Sequence, residues 1–280
     1  MTYENPGDKK YDAWLQWNLT SQCNFDCAYC FGKTPVNKQE LRTIKTAELL
    51  RTFERTGKVF RLGFTGGEPF LIPNFIEACI EITKDHFISI NSNIILPNVN
   101  EFAYTINPAK VLFIQASFHP LQLKEKNLIA KYITNFKLLQ KNNFNVIAEA
   151  VAYPPYESII NEYEILLNNN GIKLFKAPFI GKHLNINYPE GYSESEIDLF
   201  NIEKERIKYH YQKGKLCNAG YNAGVVYSNG DVYPCFQIKN KIGNVYEEIN
   251  FKDEIGKCPS KFCGCPLNKY DPYLFNHSKN

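Results

Sequence analysis

Three cysteines lie close together near the beginning of the chain, in the run Cys23-Asn-Phe-Asp-Cys27-Ala-Tyr-Cys30. Thiolates are soft ligands that select iron–sulfur clusters or zinc. A [4Fe-4S] cluster normally takes four cysteine ligands, one for each iron, but no fourth cysteine lies nearby in the sequence. The pattern therefore predicts a cluster in which one iron stays open to a molecule other than the protein. A zinc site that a distant residue completes is the alternative.

A second group of cysteines lies towards the end of the chain. It holds five of the nine cysteines: Cys217, Cys235, Cys258, Cys263 and Cys265. Between the first two, Asn229-Gly230 is a strong signal for a β-hairpin, which brings Cys217 and Cys235 together. Because cysteines of a reducing compartment are better read as metal ligands than as disulfides, we expect a second metal site here. Zinc is an alternative at this site too, since four thiolates close a tetrahedron.

The elements that must position these cysteines alternate between strands and helices. Short apolar runs rich in β-forming residues predict six strands, at 14–19, 59–64, 87–90, 111–116, 145–151 and 172–176. Helical periodicity predicts helices at 46–56, 75–83, 123–140 and 156–168, with a further helix that starts at the capping box of Ser193 and Glu196 and runs to about residue 212. Six alternations imply a parallel sheet, since parallel neighbours need crossover helices. Periodicity alone allows an open doubly wound sheet or a partly closed barrel.

Composition places the chain among ordinary globular proteins. It has 280 residues with 44% hydrophobic and 22% charged residues, enough for one large α/β domain and a small appendix. The net charge is only +3, and no basic run concentrates lysine and arginine, so nothing indicates nucleic-acid binding. The N-terminus lacks the apolar segment of a secretory signal, and no run of eighteen apolar residues predicts a membrane span. We expect a cytoplasmic protein.

Two motifs together resemble those of the radical S-adenosylmethionine (radical SAM) superfamily. The first is the cysteine run, with Tyr29 immediately before its last cysteine. The second is Gly66-Gly67-Glu68-Pro69, which follows the second predicted strand. The resemblance implies an α/β fold, a partial (β/α)6 TIM-type barrel with the [4Fe-4S] cluster at the carboxyl ends of its strands. It also implies an enzyme in which SAM binds the open iron, an electron from a flavodoxin- or ferredoxin-type donor cleaves it, and the resulting 5′-deoxyadenosyl radical abstracts a hydrogen from the substrate.

The same resemblance implies which residues meet the cofactor. The cluster ligands are Cys23, Cys27 and Cys30. The expected contacts to SAM are the backbone of Gly66, Gly67 and Glu68 at its amino group, the backbone of Tyr29 near adenine, and the strand-end residues Asn91 and Ser117. The match at Asn91 is partial, because the glycine that often follows in the family is missing.

The C-terminal cysteines resemble the auxiliary-cluster domains called SPASM and twitch. Cys217, Gly230 and Cys235 follow the C-x(9–15)-G-x4-C pattern of those domains. The resemblance implies a radical SAM core over residues 1–212 and a twitch/SPASM-like module over residues 213–280 with one auxiliary iron–sulfur cluster, expected to be [4Fe-4S]. Its ligands are expected to be Cys217, Cys235, Cys258 and Cys263, with Cys265 as the main rival.

The motifs specify how the radical is made but not what it meets. Only 22 residues precede Cys23, which leaves no room for the N-terminal peptide-recognition domain of many maturases. This favours a small polar metabolite that is oxidised or rearranged. The alternative is a peptide-modifying maturase of the RiPP type, and a second alternative is an iron–sulfur electron carrier without catalysis. His119, Glu149 and His183 are further residues that could face the substrate, and no catalytic residue is assigned.

Overall fold

A computed structural model describes residues 11–30, 32, 41–207 and 210–263 of the chain. Six parallel strands alternate with helices, as the sequence predicts. The strands are β1 (Ala13–Asn18), β2 (Phe60–Thr65), β3 (Phe87–Ser92), β4 (Val111–Ser117), β5 (Val146–Ala152) and β6 (Leu174–Pro178). The helices are α1 (Thr46–Thr56), α2 (Phe75–Ile82), α3 (Val99–Thr105), α4 (Pro120–Glu125), α5 (Ile129–Lys141), α6 (Ile160–Asn169) and α7 (Glu194–Phe200).

Each strand has one face on the helices and one face on the inside of the curved sheet. In β2, Phe60, Leu62 and Phe64 are fully buried, and the ring of Phe60 stacks on Phe53 of α1 at 3.9 Å. The residues between them, such as Arg61, point to the inner face because side chains alternate along a strand. The apolar core thus lies between sheet and helices, and the inner face is left for polar side chains.

The barrel stays open, which confirms the prediction of a partial (β/α)6 architecture. Hydrogen bonds join the strands in the order β1-β2-β3-β4-β5-β6, and β1 does not pair with β6. The position beside β1 is taken by a strand from the C-terminal part of the chain.

The C-terminal part is built from short strands. They are β7 (Gly181–His183), β8 (Ile186–Tyr188), β9 (His210–Tyr211), β10 (Leu216–Cys217), β11 (Ala223–Val226), β12 (Asp231–Tyr233), β13 (Gly243–Asn244), β14 (Glu248–Ile249), β15 (Gly256–Lys257) and β16 (Phe262–Cys263). The predicted hairpin is confirmed, since β11 and β12 pair antiparallel around Gly230, whose φ is 88°. β11 also pairs parallel with β1, from Trp14 opposite Ala223 to Trp17 opposite Val226.

One sheet of ten strands therefore runs across the predicted domain boundary, in the order β14-β13-β12-β11-β1-β2-β3-β4-β5-β6. The division into residues 1–212 and 213–280 remains a prediction. The hydrogen bonds between β1 and β11 mean that the cysteine-rich module is fixed directly to the first strand of the barrel.

Two predicted helices differ from the observed ones. The single helix expected at 123–140 is two helices, α4 and α5, because Asn127 has a left-handed φ of 53° that ends the first. The capping box of Ser193 and Glu196 is confirmed, but its helix ends at Phe200 rather than near residue 212. Asn201 closes it with a φ of 51°, a conformation that asparagine tolerates better than most residues. No helix in the described part of the chain is both long and apolar enough to cross a membrane.

Candidate active site

The cysteine loop follows β1 directly and lies at the carboxyl end of the sheet. Cys23 and Cys30 are exposed, whereas Cys27 is buried. The amide of Phe25 donates a hydrogen bond to Sγ of Cys23 at 3.4 Å, which favours the thiolate form. Burial nevertheless raises the pKa of Cys23 to about 11. A positively charged group must therefore hold this thiol in its ionised form, as iron in a cluster would.

The Gly66-Gly67 turn packs directly against the backbone of the cysteine loop. The amide of Gly67 donates to the carbonyl of Thr20 at 2.6 Å, and the amide of Glu68 donates to the carbonyl of Gln22 at 2.9 Å. A Cβ on Gly66 would overlap the Thr20 carbonyl oxygen, and a Cβ on Gly67 would overlap that of Gln22. The glycines are thus required by the close approach of two backbone segments. The amides of Gly67 and Glu68 hold the cysteine loop. Backbone carbonyls of the turn are the groups that could accept a hydrogen bond from the amino group of SAM.

Glu68 is a buried carboxyl that joins this turn to the end of β3. Its side chain accepts hydrogen bonds from the Ser92 hydroxyl at 2.7 Å, the Asn93 amide at 2.9 Å and the Phe70 amide at 3.2 Å. Asn93 in turn donates from Nδ2 to the side chain of Asn24 at 2.7 Å, within the cysteine loop. Burial raises the pKa of Glu68 to about 7, although the three hydrogen bonds oppose this shift. The side chain of Glu68 therefore links the glycine turn to the end of β3, a structural role that the sequence did not reveal.

The other predicted SAM contacts lie on the inner face of the barrel. Asn91 pairs in register with Gln115 of β4, and Ser117 pairs with Glu149 of β5. Asn91 and Ser117 are half-buried, whereas the neighbouring Ser92 is buried against Glu68. Nε2 of Gln115 donates to Oε1 of Glu149 at 2.5 Å, so the interior position suggested for Glu149 agrees with the structure. Together these residues give the upper inner wall a polar surface.

Tyr29 belongs to an aromatic group that the sequence did not reveal as a whole. Its hydroxyl and Nδ1 of His119 share a hydrogen bond of 2.5 Å. Its ring lies 5.2 Å from that of Tyr153 and 5.7 Å from that of Tyr156. Burial lowers the pKa of His119 to about 4, so His119 is neutral near pH 7 and its Nδ1 can accept from the tyrosine. The sequence does contain one indication of this group. Residues that directly follow a barrel strand face the active site, and Tyr153-Pro-Pro-Tyr156 directly follows β5.

The aromatic group extends towards the loop after β6. The hydroxyl of Tyr153 and Nδ1 of His183 are 3.3 Å apart, so His183 joins the same side of the barrel mouth. Tyr188 and Tyr192, from the same loop, are buried and pack against each other at 4.8 Å. Tyr192 donates to the carbonyl of Ala152 at 2.5 Å. These contacts show that the two tyrosines stabilise the loop.

The C-terminal cysteines converge on a small cavity that opens to solvent. It is lined by the four expected ligands, namely Cys217, Cys235, Cys258 and Cys263. Burial raises the pKa of Cys217 and that of Cys235, and the neighbouring thiolates raise both further. Mutual repulsion of this kind is relieved when the thiolates share a cationic group. Cys265, the rival ligand, lies outside the described residues.

The number and arrangement of the cysteine ligands indicate which metal group each of the two cysteine sites can bind. Among residues 11–30, 32, 41–207 and 210–263, no three histidine, cysteine or acidic side chains are arranged to hold a single metal ion. A tetrahedral zinc site needs its sulfurs within about 2.3 Å of one ion, whereas an iron–sulfur cluster spreads them over several irons. Three thiolates are one ligand short of a closed zinc tetrahedron, so Cys23, Cys27 and Cys30 would hold an iron–sulfur cluster with one open iron. The cavity cysteines would hold the second cluster.

A partial barrel with a three-thiolate loop at its carboxyl edge defines an iron–sulfur enzyme of the SAM-cleaving type. The chain matches the radical SAM superfamily over residues 17–157, about half of its length. The chain belongs to the radical SAM superfamily.

Curated relatives extend the match beyond the barrel. The putative peptide biosynthesis protein YydG of Bacillus subtilis (strain 168) is 23% identical over 244 residues, covering 80% of this chain and 69% of that protein. The antilisterial bacteriocin subtilosin biosynthesis protein AlbA of the same organism is 22% identical over 258 residues, covering 83% of this chain and 57% of AlbA.

Solved structures share the fold. Native anSMEcpe with bound AdoMet has a TM-score of 0.60 at 17% identity, covering 84% of this chain and 78% of that one. Streptococcus suis SuiB bound to the precursor peptide SuiA has a TM-score of 0.58 at 18% identity, covering 87% of this chain and 65% of that one.

These findings confirm the radical SAM enzyme with a cysteine-rich C-terminal module, and with it the need for SAM and iron–sulfur clusters. The chain is thus an enzyme rather than an electron carrier without catalysis. The ligand and SAM-contact residues remain predictions, and each can be tested by substitution.

We predict that Gly67→Ala lowers the iron content of the reconstituted protein several-fold, because the new Cβ displaces the Gln22 carbonyl and with it the cysteine loop. Iron analysis and the visible absorption of the cluster measure this. Gly57→Ala is the matched control, since a Cβ at Gly57 meets nothing within 4 Å. Its left-handed φ costs about 1 kcal/mol, with no effect expected on iron. Equal iron in Gly67→Ala and wild type would contradict the prediction.

We predict that single alanine substitutions of the four cavity cysteines each remove the auxiliary cluster and halve the iron content. The SAM-binding cluster, and with it SAM-dependent electron paramagnetic resonance changes, should remain. Cys79→Ala is the control, because Cys79 is fully buried in α2, away from both sites. Cys265→Ala should keep full iron. If Cys265→Ala loses iron and Cys263→Ala does not, Cys265 is the fourth ligand.

Glu68 makes the stability of the apoprotein depend on pH. Burial raises its pKa from 4.5 to about 7, so the folded state holds this proton more tightly than the unfolded state. The contribution of Glu68 to stability is therefore full below pH 4.5 and is lost as the pH rises to about 7. A shift of this size corresponds to about 3 kcal/mol.

Urea unfolding at several pH values measures this effect. We expect wild type to lose stability across the interval relative to Glu68→Gln, whose amide does not titrate. The same pH dependence in both proteins would show that Glu68 is not the responsible group.

Proposed function

We propose that this protein is a peptide-modifying radical SAM enzyme, which installs a crosslink, an epimerised centre or an oxidised side chain. The observation that carries the proposal is the extent of the likeness to YydG and AlbA, which covers about four fifths of this chain and continues beyond the barrel into the cysteine-rich module. YydG is described as a putative peptide biosynthesis protein, and AlbA as a biosynthesis protein of the antilisterial bacteriocin subtilosin. This replaces the expectation of a small polar metabolite, which rested on the short N-terminal segment and on the compact architecture with a single auxiliary cluster.

The open side of the barrel supports a peptide substrate. β6 is the last strand of the sheet, so its outer edge carries no further strand in the described part of the chain. Beside it, the hairpin of β7 and β8 exposes apolar side chains, with Leu184 81% exposed and Ile186 45% exposed. Extended peptides bind well to free strand edges next to apolar surface, because the backbone supplies hydrogen bonds and the side chains supply specificity.

The residues of this chain hold and orient the reacting groups. When bound, SAM and its cluster supply a 5′-deoxyadenosyl radical, on receipt of an electron that we assign to a flavodoxin- or ferredoxin-type donor. The cysteine loop and the carbonyls of Gly66 and Gly67 hold the methionine end. The aromatic group around Tyr29 would exclude water from the barrel mouth, which protects a radical from quenching. Asn91 and Ser117 would contact SAM from the inner wall.

The test starts with a search of the neighbouring genes for a short precursor peptide. That peptide is then incubated with the anaerobically reconstituted enzyme, SAM and dithionite. We expect a SAM-dependent change in the peptide, visible by mass or by chiral amino-acid analysis, together with 5′-deoxyadenosine. Cys27→Ala should abolish both products, and Cys79→Ala should keep them. The proposal fails if the peptide is unchanged while a small polar metabolite stimulates 5′-deoxyadenosine formation.

A further inference from the structure

A guanidinium lies on the inner face of the barrel at the second residue of β2. Phe60 and Leu62, on either side of it, are fully buried on the helix-facing side of the sheet. Arg61 therefore points to the inner face, where it is half-buried. No cofactor contact expected from the family's motifs involves this position.

Arg61 is held in place by neutral partners. Its guanidinium lies 4.0 Å from the ring centre of Trp14 and 5.1 Å from that of Phe113. Nε and Nη2 each lie 3.3 Å from Oγ of Ser89 and donate to it, and Nη1 donates to the hydroxyl of Tyr11 at 3.2 Å. The side chain is thus oriented by stacking and by hydroxyl groups from two other parts of the chain.

This cation has no anionic partner among the residues that the structure describes. None of the ion pairs of the described chain includes Arg61. A guanidinium has five N–H donors, and three of them are used by Ser89 and Tyr11. Two donors remain, and the planar fork of arginine matches the two oxygens of a carboxylate. A partly desolvated charge without a counterion is costly, and a bound anion would remove that cost.

We propose that Arg61 binds a carboxylate of the substrate. The inference rests on the proposed peptide-modifying function and names a feature of the peptide, either an acidic side chain or the C-terminal carboxylate. Arg61 is then a specificity-determining residue of the inner wall, and Trp14 and Ser89 are positioning residues that orient its guanidinium.

The depth of Arg61 sets the size of the substrate. Arg61 lies four residues before Thr65, the last residue of β2, so it is about 13 Å below the carboxyl edge where the cysteine loop lies. An extended peptide spans about 3.3–3.6 Å per residue. A peptide that contacts Arg61 and also reaches the radical at the barrel mouth has its carboxylate within about four residues of the modified position. A compact metabolite is too short to do both, so the site agrees with a peptide substrate.

The test measures binding by calorimetry to the full-length, reconstituted enzyme with SAM under anaerobic conditions. The probes are the pentapeptide Ala-Ala-Glu-Ala-Ala blocked at both ends, its glutamine counterpart, pentaalanine with a free C-terminal carboxylate, and free glutarate. We expect the glutamate peptide or the free C-terminus to bind about tenfold more tightly than the glutamine peptide. Which of these two binds identifies the source of the carboxylate.

Variants link this preference to the guanidinium. Arg61→Gln should remove the preference for carboxylate, and Arg61→Lys should keep part of it, since lysine retains the charge but not the fork. Arg51→Gln is the matched control, because Arg51 is exposed on α1. Circular dichroism and iron content verify that each variant is folded and loaded, and the peptide comparison in wild type stands even if Arg61→Gln does not fold.

The outcomes separate this inference from the proposed function. Equal affinity for the glutamate and glutamine peptides, or a preference that persists in Arg61→Gln, overturns the Arg61 site while peptide modification stands. A third outcome is that glutarate is the only probe that binds, with binding lost in Arg61→Gln. In that outcome the carboxylate site at Arg61 stands and the proposed peptide substrate fails. Absence of binding by all four probes overturns the inference.

Discussion

The close contact between the cysteine loop and the Gly66-Gly67 turn is the constraint on which the active site depends. The amides of Gly67 and Glu68 hold the carbonyls of Thr20 and Gln22, and any side chain at the glycines would push the loop away. The cluster ligands and the turn therefore move as one unit at the ends of β1 and β2. This explains in physical terms why the two motifs occur together: one supplies the thiolates and the other supplies the space and the hydrogen bonds that fix them.

Glu68 connects that unit to the third strand. A buried carboxyl is costly unless its oxygens are hydrogen-bonded, and here the end of β3 provides two of the donors. The link through Asn93 to Asn24 closes the network back onto the cysteine loop. Three consecutive strand ends are thus held by one set of hydrogen bonds, which keeps the ligand positions rigid before any cofactor binds, as precise chemistry requires.

The second cysteine site is coupled to the barrel through β11. Ala223 and Val225 on this strand pack with Trp14 of β1 and with Cys235 and Cys263 of the module. Trp14 in turn stacks on Arg61 of the inner wall.

The sequence by itself determined the cysteine sets, the glycine turn and the sixfold strand–helix pattern, because each is written in residue types and local spacing. The β11–β12 hairpin and the Ser193 cap were equally local, and both are confirmed. Only the tertiary structure decided that β11 joins β1, that Glu68 reaches β3, and that Tyr29, His119, Tyr153 and Tyr156 form one aromatic group. These contacts join residues far apart in the chain, and no local periodicity encodes them. Arg61 belongs to the same class, since its lack of a counterion among the described residues is a property of the space around it and not of its neighbours in sequence.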